Sequence, residues 1–218
     1  MMTLSVKDLK MQFDGTTIFD HVTFTVQNDD WLTITGESGS GKSTLLRIIA
    51  GLVDATSGTI TLDSKNQWDY DISTYRQDVS YAVQSAQLFG KTVRDNLDLP
   101  FQVRNQTPDV DRELTLLRAM DLPESFLDKD VHELSGGQRQ RVGVARNLLF
   151  PPKVLLLDEI STGLDAETKK TIWALIQQMQ DKYHFAILSV THDGEEIKHA
   201  NAIMTLEDGE ATINERTN

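Results

Sequence analysis

The chain contains no cysteine. Disulfides, thiolate nucleophiles and cysteine-ligated zinc are therefore excluded, and the composition fits a reducing compartment. Long apolar runs are also missing. No window approaches the roughly 18 apolar residues that a membrane-spanning helix needs. Met1 to Asp8 lacks the basic region and following apolar stretch of a secretion signal. Any role at a membrane is thus expected to depend on a separate anchor. Positive charge is scarce too. With 21 Lys and Arg against 33 Asp and Glu, the net charge is −12. Such a surface does not attract a nucleic-acid backbone, so no nucleic-acid partner is expected. Short basic stretches such as Arg139 to Arg146 can still serve an anion. Internal repeats and low-complexity segments are not evident.

What is present suffices for one sizeable core with a lobe inserted in it, since the chain has 218 residues, 39% of them hydrophobic. Alternating apolar residues at Leu4, Val6, Leu9, Met11 and Phe13, then Val22, Phe24 and Val26, read as half-buried strands of an N-terminal antiparallel part. Asp14-Gly15 and Gln27 to Asp30 are turn signals between them. Trp31 to Thr35 is expected as a strand, Leu45 to Leu52 as a helix, and Gly58 to Leu62 and Val79 to Val83 as further strands. From Phe89 to Phe150 the strand pattern fades. One helix is expected after Thr107-Pro108, with acids in its first turns, and another from Gly136 to about Leu149, stopped by Pro151-Pro152. Val154 to Leu157 shows no alternation and reads as a strand buried on both faces. Helix 168–183, strands 185–190 and 202–206, and an Asp208-Gly209 hairpin complete the pattern. The expected organisation is an α/β core, 1–87 and 151–218, with a helical lobe at 88–150.

Three motifs carry chemistry, and their order matters. Gly36, Glu37, Ser38, Gly39, Ser40, Gly41, Lys42 and Ser43, followed by Thr44, form a Walker A loop between a strand and a helix. Its glycines let backbone N–H groups curl around phosphate oxygens at a helix N-terminus. Lys42 is expected to reach the β- and γ-phosphates of ATP, and Ser43 to hold Mg²⁺. Val154 to Leu157 closes on Asp158 and Glu159, where open α/β sheets place their ligand crevice. Asp158 is expected in the Mg²⁺ shell and Glu159 as the general base that activates water. The third motif is Leu134, Ser135, Gly136, Gly137 and Gln138. Two glycines weaken a helix start, and Arg139 and Arg141 sit where the macrodipole disfavours cations. Both oddities make sense if an anion binds there, clasped by Ser135 and the glycine amides.

With these motifs the chain resembles the ABC-type ATPases over essentially its whole length. The resemblance implies a P-loop NTPase (RecA-like) core, and a Leu134 to Gln138 signature facing the Walker A loop of a second copy. Two ATP molecules would then lie between two subunits. It also implies that Gln84 is the glutamine that touches Mg²⁺ and water and couples to the membrane partner. His192 would contact the γ-phosphate, Asp165 would lie at the dimer interface, and Phe13 would stack on adenine. Phe13 also suits a core position in an alternating strand; Phe19 and Phe24 read as core. Ile160 and Gly163 depart from the commonest family pattern, which has proline and alanine there.

The segments from Tyr75 to Ile160 are similar to the Fet/YbbL-type iron-export ATPases, which pair with a separate integral membrane permease. That resemblance implies a peripheral position on the cytoplasmic face of the membrane. The transporter reading predicts a groove on the lobe, near Gln84 to Arg104, that receives the permease, so charge reversal at Arg94 or Arg104 is expected to uncouple transport while sparing basal ATPase activity. The competing reading is a non-transport ABC ATPase, such as an iron–sulfur assembly or cell-envelope ATPase.

Overall fold

The computed structural model describes residues 2–215. In chain order its elements are β1 (Thr3–Phe13), β2 (Thr16–Gln27), β3 (Trp31–Thr35), α1 (Lys42–Ile49), β4 (Ser57–Leu62), β5 (Lys65–Asn66), α2 (Ile72–Asp78) and β6 (Val79–Ala82). Then follow α3 (Val93–Val103), α4 (Val110–Ala119), α5 (Gly136–Leu148), β7 (Val154–Asp158), α6 (Ala166–Tyr183), β8 (Ala186–Val190), α7 (Gly194–Ile197), β9 (Ala202–Glu207) and β10 (Glu210–Glu215). The chain parts into two compact units. One takes residues up to Tyr81, Pro152–Glu159 and those from His184 on; the other takes Ala82–Pro151 and Ile160–Tyr183. Helix α6 thus falls with the residues of the lobe.

In the first unit, alternation does what its period requires. β1 pairs antiparallel with β2, setting Leu4 opposite Val26 and Val6 opposite Phe24, and its other edge sets Val6 opposite Ile60 of β4. These side chains are buried, along with Phe19 and Phe24. Each such burial stabilises the fold by roughly 1.5–3 kcal/mol. The second sheet runs β10-β9-β3-β8-β7-β6. β3 is parallel to both β8 and β9, and β7 is parallel to β8. Every residue of β7 and β8 is buried, as strands sandwiched on both faces must be. The polar atoms inside are paired: Trp31 Nε1 donates to Ser189 Oγ at 3.0 Å, and Thr33 Oγ1 lies 2.9 Å from the same oxygen. Asp208 and Gly209 both take positive φ, which a tight β9–β10 hairpin demands.

The register has a consequence for everything that follows. Ile34 and Asp158 are both opposite Val190. Three parallel strands therefore end in one row, and Gly36, Glu159 and His192 leave the sheet at the same edge.

The second unit holds three helices between 88 and 150, one more than the sequence pattern indicates. The additional one is α3. Pro100 inside it conceals it in the sequence, but Thr92 and Asp95 form a reciprocal capping box at its start. Buried Asn96 then clamps the preceding loop, its side chain accepting from Phe89 N at 2.8 Å and donating to Phe89 O and Thr92 O at 2.8 and 2.9 Å. Arg94 donates to Asp128 at 3.0 and 2.9 Å. Arg104 donates to Pro100 O at 3.1 Å and lies 4.2 Å over the Phe150 ring. Both arginines bind groups of the lobe itself.

One buried acid in this unit lacks a donor. Glu113 of α4 is fully buried, and neither of its carboxyl oxygens has a hydrogen-bond partner; Asp98 Oδ1 has none either. Asp98 and Arg94 of α3 and Asp109 at the start of α4 are the charges that act on it. Burial first, then Asp98, pushes the Glu113 carboxyl up from 4.5 to about 8. The folded state therefore keeps a proton that the unfolded chain gives up above about pH 4.5. Stability from this group is complete below that pH and is lost as pH rises towards 8. Glu113→Gln should match the parent protein in urea unfolding at pH 5 and exceed it at pH 8.5. The expected gain is about 1–3 kcal/mol, the cost of an unmatched buried polar group. Equal stability differences at the two pH values would contradict this.

Candidate functional site

The Walker A loop joins β3 to α1 through backbone that only glycine tolerates. Gly36 and Gly41 take φ of +140° and +98°. A Cβ on Gly36 would lie 2.1 Å from Leu206 O, and one on Gly41 2.6 Å from Ile18 Cγ2. Helix α1 begins with no side-chain cap, so its first N–H groups remain available to an external acceptor. Lys42 is 5% exposed and folds back on the loop, donating to Gly36 O at 2.9 Å and Glu37 O at 2.6 Å. The buried hydroxyl of Ser40 has no partner. An uncapped helix start, a folded-back ammonium and an orphaned hydroxyl converge on one loop. A polyphosphate is the group that would satisfy all three.

Asp158 ends β7 and is 6% exposed. Its Oδ1 accepts from Ser43 Oγ at 2.8 Å, and its Oδ2 accepts from Tyr81 Oη at 2.6 Å. A hydroxyl and a carboxylate held together beside the phosphate loop are the hard oxygen donors that suit Mg²⁺. The residues present fit that ion. Tyr81 has a place in this cluster that sequence reasoning did not assign. Burial, followed by the neighbouring Asp158, pushes its phenol up to about 12, so it remains a donor.

Glu159 follows in left-handed backbone, with φ of +50°. That conformation is strained for a residue with a side chain, and such strain clusters at functional sites. Its N–H donates to Val190 O at 3.0 Å, which fixes the backbone. The carboxylate is half-buried and lies 3.5 Å from His192 Nε2. The histidine is exposed at the end of the neighbouring strand. Phe13 closes β1 and is 66% exposed, so its alternative reading as a core aromatic fails.

In the second unit, Ser135 caps α5. Its Oγ accepts from Gln138 N at 3.2 Å, while the Gln138 side chain accepts from Ser135 N at 3.0 Å. An added Cβ at Gly136 would meet nothing within 4 Å. The start of α5 is thus capped from within and open to approach. Arg139 donates to Leu134 O, Arg141 to Met120 O and Asp121 O, and Arg146 to Gln87 O. These arginines donate to carbonyls of the lobe. Gln84 is exposed in the loop after β6. That loop is held by Gln140 of α5, which accepts from Ala86 N at 2.9 Å and donates to Val83 O at 3.1 Å. Gly143 lets the helix come close enough, since its Cβ would fall 2.4 Å from Ala86 Cβ. Gln140 carries no motif signal, and only its burial marks it. Gly163 has a φ of +76° and open space around it, so glycine there answers the backbone and not a contact.

Residues 19–162 match the sequence family described as ABC transporter. The chain belongs to the ABC transporter family. Among its relatives, the Probable iron export ATP-binding protein FetA of Escherichia coli (strain K12) is 44% identical over 190 residues, covering 87% of this chain and 84% of its own. The Energy-coupling factor transporter ATP-binding protein EcfA1 of Ligilactobacillus salivarius (strain UCC118) is 35% identical, with 88% and 69% covered. Among solved structures, a dimeric ATP-binding cassette in a post-hydrolysis state bound to ADP and Pi superposes with a TM-score of 0.89 at 26% identity, covering 99% of both chains. An ATP binding subunit of an ABC transporter, at 24% identity, shares the fold with a TM-score of 0.87 over 97% of this chain and 89% of its own. The fold is that of the ABC ATPase domain, α/β with a P-loop.

Lys42→Ala removes the one buried ammonium in the loop. It should weaken ATP binding by about tenfold or more, the scale of a charge-assisted hydrogen bond. Glu159→Gln should retain ATP binding and lower turnover by about 10²- to 10⁴-fold, the usual range for a general base. Equilibrium binding and phosphate release on the purified variants check both. Normal turnover by the Gln variant would remove Glu159 from the chemistry.

Proposed function

We propose that this chain burns ATP to drive the export of iron, as one of two copies bound to a separate integral membrane permease. The chain is an ABC ATPase, as its family membership establishes. The iron reading is carried by the 44% identity to the FetA protein across most of both chains. No helix among the described residues is long and apolar enough to cross a membrane. The transport path would therefore belong to the partner, and this chain would sit peripherally on the cytoplasmic face.

The proposed chemistry follows from the placement of the groups. Backbone from Gly36 to Gly41, with Glu37, Ser38 and Gly39 in it, would wrap the phosphates of ATP. Lys42, Ser40 and the first amides of α1, up to Ser43 and Thr44, would hold the β- and γ-phosphates, and Phe13 would stack on adenine. Ser43, Asp158 and Gln84 would hold Mg²⁺, which when bound supplies positive charge against the phosphate oxygens. Glu159 would accept a proton from water as the water oxygen attacks the γ-phosphorus and ADP departs. His192, 3.5 Å from that carboxylate, would donate to the γ-phosphate. Ser135, Gly136, Gly137 and Gln138 would be presented to the ATP of the second copy, with Asp165 near the same interface. The open start of α5 and the dimeric solved relative support that arrangement. Exposed Phe89 and Val103 in the lobe, 88–150, are the apolar surface proposed to meet the permease.

Three experiments test the reading. The Glu159→Gln protein with ATP and Mg²⁺ should double its mass in light scattering, because each site needs a second signature segment. A monomer with ATP demonstrably bound counts against the sandwich. A strain lacking the protein should hold more iron and tolerate peroxide less well, and the tagged protein should co-purify with a membrane subunit. Unchanged cellular iron together with loss of another solute's transport keeps the ATPase reading and removes iron. Failure to associate with any membrane protein favours the non-transport alternative.

A further inference from the structure

We propose that Tyr81 is a positioning residue for the metal–nucleotide centre, locking the Asp158 carboxylate so that only one of its oxygens is offered to the ion. The inference rests on the proposed role of Ser43 and Asp158, and deepens it. The observation is a chain of polar contacts that closes within the first unit. Ser43 Oγ donates to Asp158 Oδ1 at 2.8 Å, and Tyr81 Oη donates to Oδ2 at 2.6 Å. The guanidinium of Arg47 lies against the tyrosine oxygen. Ser43 and Arg47 stand four residues apart on α1, hence on one face. One helix therefore supplies both ends of the chain, while β6 and β7 supply its middle.

The physical need for a second anchor lies in the aspartate itself. The terminal torsion of a carboxylate is broad and nearly two-fold, so one hydrogen bond leaves it free to rock and exchange its oxygens. A donor on each oxygen fixes the plane. Since a carboxylate can only accept, the phenol must be the donor towards Oδ2. The Arg47 guanidinium, which cannot accept, leaves the phenol proton no alternative acceptor on that side. Magnesium demands near-ideal geometry from its ligands. Groups that orient metal ligands from behind commonly alter metal affinity by about 10- to 100-fold when removed. The Tyr81 ring could instead simply pack β6, and the substitution that separates the two roles is Tyr81→Phe, which keeps the ring and deletes the oxygen.

The experiment titrates Mn²⁺ against the purified protein in the presence of ADP, read by electron paramagnetic resonance, with ADP binding in EDTA measured beside it. Tyr81→Phe should lower Mn²⁺ affinity by about tenfold while leaving metal-free ADP affinity unchanged. Arg47→Met should show the same effect, smaller. Unchanged Mn²⁺ affinity in Tyr81→Phe, or an equal loss of ADP binding in EDTA, overturns the proposal. Asp158→Asn is the control for the underlying site. If it weakens Mn²⁺ binding and Tyr81→Phe does not, the site stands and the role of Tyr81 falls. If Asp158→Asn has no effect, both fall.

Discussion

The parallel register of β3, β8 and β7 is the constraint on which the rest depends. Because Ile34 and Asp158 share Val190 as their opposite residue, three chain segments distant in sequence must emerge at one edge. One segment becomes a glycine loop, one ends in two acids and one reaches a histidine. Slipping the register by a single residue would turn every side chain of a strand to the opposite face. Such a slip would part Ser189 from Trp31 Nε1 and Thr33 Oγ1, the buried hydrogen bonds that mark the β3–β8 register. The edge is thus set by residues of the sheet interior rather than by the loop, the acids and the histidine themselves.

The energetics of that edge differ from those of the core beneath it. In the sheet, Trp31, Thr33 and Ser189 satisfy one another. At the edge, satisfaction is withheld: the Ser40 hydroxyl has no partner, α1 has no side-chain cap, and Glu159 is held in left-handed backbone. Lys42 occupies loop carbonyls that give a cation only partial compensation. These are costs a fold selected only for stability would avoid, and they converge where a charged ligand would remove them. In the lobe Arg94, Arg104, Arg139 and Arg141 each donate to a carboxylate or a carbonyl of the same unit, while Glu113 stays buried without a partner.

Local pattern and long-range packing divide what the sequence disclosed from what it concealed. Period-two alternation made β1 and β2 legible, because half-buried strands expose every second residue. The unbroken run of Val154 to Leu157 disclosed β7 for the complementary reason. Helix α3 was concealed because Pro100 signals a break, whereas the capping at Thr92 and Asp95 outweighs one lost hydrogen bond. Spacing along a chain says nothing about which carbonyl a guanidinium reaches, so the partners of Arg139 and Arg141 came only with the fold. Phe13 was ambiguous in sequence and resolved by exposure, a property of packing.

By itself, the sequence determined the phosphate loop, the paired acids, the order of strands and helices, and the family. Each of these depends on residue types at short fixed spacing, where local backbone geometry suffices. Only the tertiary structure decided which side chains meet across long separations. It brought Tyr81 to Asp158, Gln140 to the loop after β6, and Glu113 to Asp98 in a place without a donor. Those contacts follow from how sheets and helices pack, and packing depends on the summed burial of the whole chain rather than on any motif within it.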